Sequence, residues 1–247
     1  MILYGKPVAD ALREQYAERI EENARKTHGK RTLTVIKDDT SDKGYLAAIQ
    51  REAERWKVDL MYAADLKQAV QQRYGIMAID LRKNAVRKLY GFYAADGQSD
   101  VGREKAYTGE MSAETPCTAE AIIRMLDYYN IPIAGRHVVV IGRSERVGKP
   151  TAMLLLARDA TVTVCHSKTD KAKLMGQVGS ADIVVCASGQ KDLLDWTCVR
   201  RGCTVINVGG DYIGDGYEEY DPGINLIPFK GGVGPVTTAV LMSHVLM

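Results

Sequence analysis

The chain has 247 residues, 46% of them hydrophobic and 26% charged. That is room for one large or two ordinary globular domains with a buried core, and it excludes disorder, collagen-like repeats and a solvated coiled coil. Lys and Arg number 33 against 31 Asp and Glu, so no global basic field exists to hold nucleic acid or an anionic membrane, and any anionic ligand must be met locally.

In residues 7–24, Val8, Leu12, Tyr16 and Ile20 recur every four positions with charges between them, the pattern of one amphipathic helix. Thr32–Ile36 reads as a strand. Ser41 is placed to cap a helix running through Tyr45, Ile49 and Trp56, and the apolar runs 60–63 and 75–81 read as strands around a helix near 64–73. The stretch 82–114 is polar, with Gly91, Gly97, Gly102 and Gly109 and weak periodicity, so loops and a domain edge are expected there. A helix follows over 118–129, stopped by Asn130 and Pro132.

Beyond it, β-rich apolar runs at His137–Ile141, Thr161–Cys165, 182–187 and 204–208 are separated by stretches long enough for crossover helices. Continuous apolar runs of this kind are the mark of a parallel sheet covered on both faces. Gly231-Gly232-Val233-Gly234-Pro235 precedes a last apolar helix over 236–246. The expected architecture is α/β in two domains. Residues 1–120 with the C-terminal helix 235–247 form the first and 121–234 the second; their boundary falls near 115–135.

Five cysteines (Cys117, Cys165, Cys186, Cys198, Cys203) are an odd number with no C-x-x-C pair, several in apolar runs, and read as reduced thiols of a cytoplasmic protein. No metal site is expected. The first 15 residues lack the apolar core of a signal peptide, and no run is long enough to span a bilayer.

The strand His137–Ile141 runs into Gly142-Arg143-Ser144-Glu145-Arg146-Val147-Gly148-Lys149-Pro150 and then a helix over 151–157. A glycine turn at a helix N-terminus offers backbone N–H groups and a positive dipole end to a pyrophosphate, and is equally often a plain strand-to-helix turn. The next strand ends in Cys165-His166-Ser167-Lys168-Thr169. An NAD site would place a carboxylate there; hydroxyl and cationic groups, with Arg143 from the first turn, suit the 2′-phosphate of NADP. His166 alone is either a surface histidine or a ligand. The 231–235 glycines permit close backbone approach to a ligand, or merely a tight turn. Tyr45, Ile49, Glu52 and Trp56 share one helical face, by default a core stripe, and Asp96-Gly97 by itself is an ordinary turn.

The strings GRSERVGKPTAMLLL (142–156), ATVTVCHSKT (160–169), ADIVV (181–185), TVINVG (204–209) and GGVGPVT (231–237) resemble, in the same order, the methylenetetrahydrofolate dehydrogenase/methenyltetrahydrofolate cyclohydrolase family. GKPVA (5–9), the segment around Tyr45 and PCT (116–118) extend the likeness over nearly the whole chain. The resemblance implies a folate-binding α/β domain, a Rossmann-like NADP-binding domain, a last helix returning to the first domain, an active site in the cleft and a homodimer built through the Rossmann domain. By motif position it assigns Arg143 and Ser167 to the 2′-phosphate, and Ser144 with the following loop to the phosphates. The implied cofactor-binding set is Gly142, Arg143, Ser144, Val147, Gly148, His166, Ser167, Lys168, Thr169, Gly232 and Gly234. Tyr45 and Asp96 are the implied catalytic residues, matching the Y-x-x-x-K tyrosine and the aspartate before glycine that grips the pterin ring.

The departures fall on the folate side. Y-x-x-x-K reads Tyr45-Leu46-Ala47-Ala48-Ile49, so isoleucine stands at the catalytic lysine position. Ile79 stands at the glutamine of the Q-L-P-L-P segment, which is otherwise missing, Ala119 ends the Pro-Cys-Thr-Pro motif, and Lys230 replaces the proline before the glycines. The expected function is NADP-dependent methylenetetrahydrofolate dehydrogenase with cyclohydrolase activity lost or very low. Its rivals are an NADP dehydrogenase of a different substrate and a nucleotide-binding homologue without turnover.

Overall fold

The structure is a computed structural model. It describes residues 1–65, 67–69, 77–81, 93–94, 96, 100–191, 193–194, 196–211 and 223–247. The chain divides into two compact units, one of Ala9–Lys105, Met111–Cys117 and Thr238–Met247, the other of Met1–Val8, Ala106–Glu110 and Thr118–Thr237.

The first unit is built on a parallel sheet in the order β2-β1-β3-β4, with β1 at Thr32–Ile36, β2 at Asp59–Ala63, β3 at Met77–Asp80 and β4 at Tyr93–Ala94. β1 is central and buried along four of its five residues, whereas β2 at the edge is mostly open. The helix expected over 7–24 is two helices, α1 (Gly5–Gln15) and α2 (Ala17–Arg25), because the backbone leaves the helical region at Tyr16. Tyr16 is turned onto Trp56, 5.6 Å between ring centroids, a tertiary contact that periodicity does not register. α3 (Lys43–Arg55) is capped by Asp42, whose carboxylate accepts the Tyr45 N–H at 2.9 Å. Ser41, the expected cap, instead accepts from the Asp38 N–H in the preceding turn.

α3 buries Ile49, Glu52 and Ala53, and the Glu52 carboxylate accepts the indole N–H of fully buried Trp56 at 2.9 Å. Loops were expected over 82–114, yet its described part holds a helix, α4 (Asp100–Thr108). Of the expected helix near 64–73, residues 67–69 are helical, while 66 and 70–73 lie outside the described residues.

The second unit carries a five-stranded parallel sheet in the order β6-β5-β7-β8-β9: β5 His137–Ile141, β6 Thr161–Cys165, β7 Ile183–Cys186, β8 Thr204–Asn207 and β9 Asn225–Ile227. β7 and β8 are buried throughout and β5 over its last four residues, the burial expected of strands covered on both faces. Helix α5 (Cys117–Tyr128) leads into β5, α6 (Gly148–Leu156) connects β5 to β6 and α7 (Lys171–Ser180) connects β6 to β7; Asp170 caps α7 by accepting the Lys173 N–H. β9 was not expected. It pairs with β8 and, through Leu226, with Ile2 of the chain opening.

The opening residues also meet the glycine segment. The Gly5 N–H donates to the Gly231 carbonyl at 2.8 Å, and a Cβ on Gly5 would stand 1.9 Å from the Gly232 carbonyl oxygen. The last helix, α8, begins earlier than expected, at Val233, so Gly234 and Pro235 lie in its first turn (Val233–Leu246), where proline's missing N–H costs no bond.

Candidate nucleotide and folate sites

In a parallel sheet of order 2-1-3-4-5, ligands bind beyond the carboxyl ends of the strands, where the crossover direction reverses. Here that switch lies between β5 and β7. The two strand ends close tightly on one another. Gly142 takes φ +122°, and a Cβ there would meet the Ala187 carbonyl oxygen at 2.4 Å. One turn on, a Cβ on Gly148 would meet the Gly142 carbonyl oxygen at 2.2 Å, so the loop can fold back on itself only with glycine at both places.

Within the loop Ser144 acts as a cap. Its hydroxyl accepts from the N–H groups of Val147 (3.2 Å) and Gly148 (3.4 Å), and its carbonyl accepts from Lys149 (3.0 Å). The first N–H groups of α6 are thereby occupied. The Arg143 and Ser144 N–H groups, by contrast, meet no acceptor among the described residues, so they are the donors this turn offers to an anion.

The neighbouring turn after β6 is closed on itself. His166 N–H donates to the Thr169 hydroxyl (2.9 Å), Thr169 N–H to the His166 carbonyl (2.8 Å), and Lys168 N–H to His166 Nδ1 (3.2 Å), which leaves the neutral ring's proton on Nε2. His166 and Thr169 thus shape the turn, while Ser167 and Lys168 stay exposed, as Arg143 does. No carboxylate stands between Cys165 and Thr169.

Beyond β7 and β8 lies a group the sequence reading did not single out. Asp211 is fully buried, and one of its oxygens accepts the Ser188 N–H at 2.6 Å, tying together the two turns that follow these strands. Gly189, Gly209 and Gly210 around it were the available signal, since glycines directly after apolar strands mark close backbone approach.

Gly232 is packed against the Pro228 carbonyl, which a Cβ would approach to 2.0 Å, whereas a Cβ on Gly234 would meet nothing within 4 Å. On the other unit, Tyr45 lies half-buried in the first turn of α3 and Asp96 half-buried in a turn; the residues flanking Asp96 lie outside the described ones. Ile49, one turn beyond Tyr45, is 0% exposed and Ile79 on β3 is 1% exposed. Among the described residues no group of three His, Cys, Asp or Glu is placed to hold a metal, and no helix is long and apolar enough to cross a membrane.

A family model described as tetrahydrofolate dehydrogenase/cyclohydrolase, NAD(P)-binding domain, matches residues 116–247. The bifunctional protein FolD of Nocardia farcinica is 36% identical over 273 residues, covering 99% of this chain and 95% of that protein. FolD of Carboxydothermus hydrogenoformans is 33% identical, with 98% and 94% covered. Among solved structures, the 5,10-methylenetetrahydrofolate dehydrogenase of the silkworm Bombyx mori matches at a TM-score of 0.82 and 26% identity, covering 100% of this chain and 96% of that one. The methylenetetrahydrofolate dehydrogenase-cyclohydrolase of Trypanosoma brucei, complexed with NADP cofactor and inhibitor, matches at the same score, identity and coverage. The glycine turn at the switch point thus falls inside a matched nucleotide-binding domain and the whole chain aligns with FolD proteins, so the chain belongs to the tetrahydrofolate dehydrogenase/cyclohydrolase family.

Proposed function

We propose that this protein is a methylenetetrahydrofolate dehydrogenase using NADP, with cyclohydrolase activity lost or very low. The observation that carries the reading is Ile49. At the family's lysine position the side chain is apolar and wholly buried in its unit, so it neither donates nor accepts a proton. Hydrolysis of a methenyl bridge needs an activated water and a moving proton, whereas hydride transfer chiefly needs two flat reactants held face to face. Losing the lysine therefore removes the hydrolysis and spares the transfer. Glu52, one turn further on, does not replace it, because its carboxylate accepts from Trp56 and faces Arg13 at 3.7 Å and Arg55 at 3.5 Å.

NADP, when bound, supplies the hydride acceptor. The residues present fit it: Arg143, Ser167 and Lys168 offer two cations and a hydroxyl on adjoining turns, where the 2′-phosphate is gripped by charge-assisted hydrogen bonds. The Arg143 and Ser144 N–H groups take the pyrophosphate on a turn that Gly142, Val147 and Gly148 shape. His166 and Thr169 hold the second turn rigid, Gly232 lets the glycine segment pack against the Pro228 carbonyl, and Gly234 leaves room for close approach. Tyr45 and Asp96 orient the folate. The protein is a cytoplasmic homodimer in this reading, in keeping with its five free cysteines, and sedimentation checks the dimer.

The test follows NADPH formation from methylenetetrahydrofolate and enzymatic decay of methenyltetrahydrofolate separately. The first is expected and the second is not. Rapid methenyl decay overturns the loss of cyclohydrolase; NADP binding with neither activity leaves a nucleotide-binding protein without turnover.

A further inference from the structure

Asp211 is wholly buried, yet half of its carboxylate is unused. Oδ2 accepts the Ser188 N–H at 2.6 Å, while Oδ1, also buried, has no hydrogen-bond partner among the described residues. That oxygen stands over Gly209, 2.5 Å from where a Cβ would be, and that same Cβ position is 2.7 Å from the Gly189 nitrogen. Glycine at 209 is what makes room for it. Burial, first, and then the Asp211 charge push the Cys186 thiol up, so this neighbour stays neutral beside the carboxylate. A buried carboxylate oxygen left in this way is costly unless a ligand brings a donor or a positive charge to it.

Its place in the sheet says which ligand. The strand order is β6-β5-β7-β8, and Asp211 follows β8. Arg143, Ser167 and Lys168 stand past the ends of β5 and β6, and the free N–H groups of Arg143 and Ser144 past β5. Three strand spacings separate β6 from β8, about 14 Å, the scale of an extended dinucleotide. With its 2′-phosphate on the cations and its pyrophosphate over the β5 turn, the nucleotide would bring its nicotinamide end to the turns after β7 and β8.

We propose that Asp211 is a specificity residue of the nucleotide site, whose buried carboxylate faces the nicotinamide end of NADP and favours the oxidised, cationic ring over the reduced, neutral one. The proposal rests on the NADP reading above. It predicts a residue that discriminates between redox states of one cofactor, which a purely structural tie between two turns would not do.

The test is binding, not turnover. The full-length protein and its Asp211→Asn variant are titrated with NADP⁺, NADPH and 2′-phospho-ADP-ribose, which lacks the nicotinamide. Asn keeps an acceptor oxygen for the Ser188 N–H and removes the charge. The variant is expected to bind NADP⁺ about tenfold more weakly, with NADPH little changed and 2′-phospho-ADP-ribose unchanged. No change, or equal losses for NADP⁺ and NADPH, overturns the proposal. If the variant does not fold, the wild type decides: NADP⁺ must bind at least as tightly as NADPH, and the reverse order overturns it. A wild type that binds none of the three refutes the NADP reading itself, and the role of Asp211 with it.

Discussion

Arg143 and Ser167 each stand two residues past a register pair, Ile141 and Cys165, on adjacent parallel strands. The Gly142 N–H, donating to the Cys165 carbonyl at 2.8 Å, fixes the two turns against each other immediately beyond that pair. The grouping of guanidinium and hydroxyl is therefore set by backbone, and only the side-chain ends are left to adapt to a phosphate. Replacing Arg143 by Ala is expected to weaken NADP binding by about 1.5–3 kcal/mol, the usual worth of a hydrogen bond to a charged group, and NAD binding by much less. Parallel titrations with both nucleotides measure the difference. Equal losses would show that Arg143 serves a part common to both, such as the pyrophosphate.

Much of this nucleotide-side frame was legible in the sequence because β5, β7 and β8 are buried on both faces, and burial of that kind writes itself as an unbroken apolar run. What stayed hidden depends on partners far along the chain. β9 is three residues long and needs β8 and the chain opening beside it. Asp211 acquires its place from Ser188, 23 residues away. At the break Tyr16 packs on Trp56, 40 residues further along the chain, a contact that a local window does not see. α4 was missed for a different reason, since a polar segment with scattered glycines gives weak periodicity whatever it forms.

Ile49 separates two views of its position. Fully buried among core residues, it is expected to behave as a core side chain, so Ile49→Ala should lower stability by about 2–5 kcal/mol through lost transfer energy and a residual cavity. Were it instead a lining residue of an open substrate pocket, the change would stay within about 0.5 kcal/mol. Urea unfolding of the variant reads this directly. A small loss would reopen the question of what the position contacts, and with it the account of the missing hydrolysis.

The glycines of the second unit divide by what a methyl group would strike. Gly5→Ala and Gly232→Ala each drive a Cβ to within about 2 Å of a backbone carbonyl oxygen, a rigid obstacle, and are expected to cost about 1–3 kcal/mol or more. Gly234→Ala meets open space in the first turn of α8, so stability should hold or rise by up to about 1 kcal/mol. Thermal unfolding of the three variants ranks them. If Gly234→Ala keeps its stability and loses nucleotide affinity, the glycine is there for the ligand; if it keeps both, the open space around it is unused.

Cys203 gives the pH dependence a definite sign. Burial pushes its thiol up to about 12, an effect that Arg200 partly opposes and Asp182 reinforces, and burial pushes the Cys186 thiol up as well. In the unfolded chain a thiol releases its proton near its ordinary value of 9.0; in the folded chain Cys203 keeps it until about 12. Below the first value both states are protonated and this group adds no pH dependence. Between the two, unfolding releases a proton, so stability falls as pH rises, by at most about 1.4 kcal/mol per pH unit for one such group. Other groups titrate in that range, so the informative quantity is a difference: Cys203→Ala should show a shallower loss of stability than the wild type between pH of roughly 9 and 11. Both thiols should also resist alkylation in the native protein, since the thiolate is the reactive form. Identical slopes for the two proteins, or rapid native alkylation at Cys203, would mean that the thiol is not held protonated by the core.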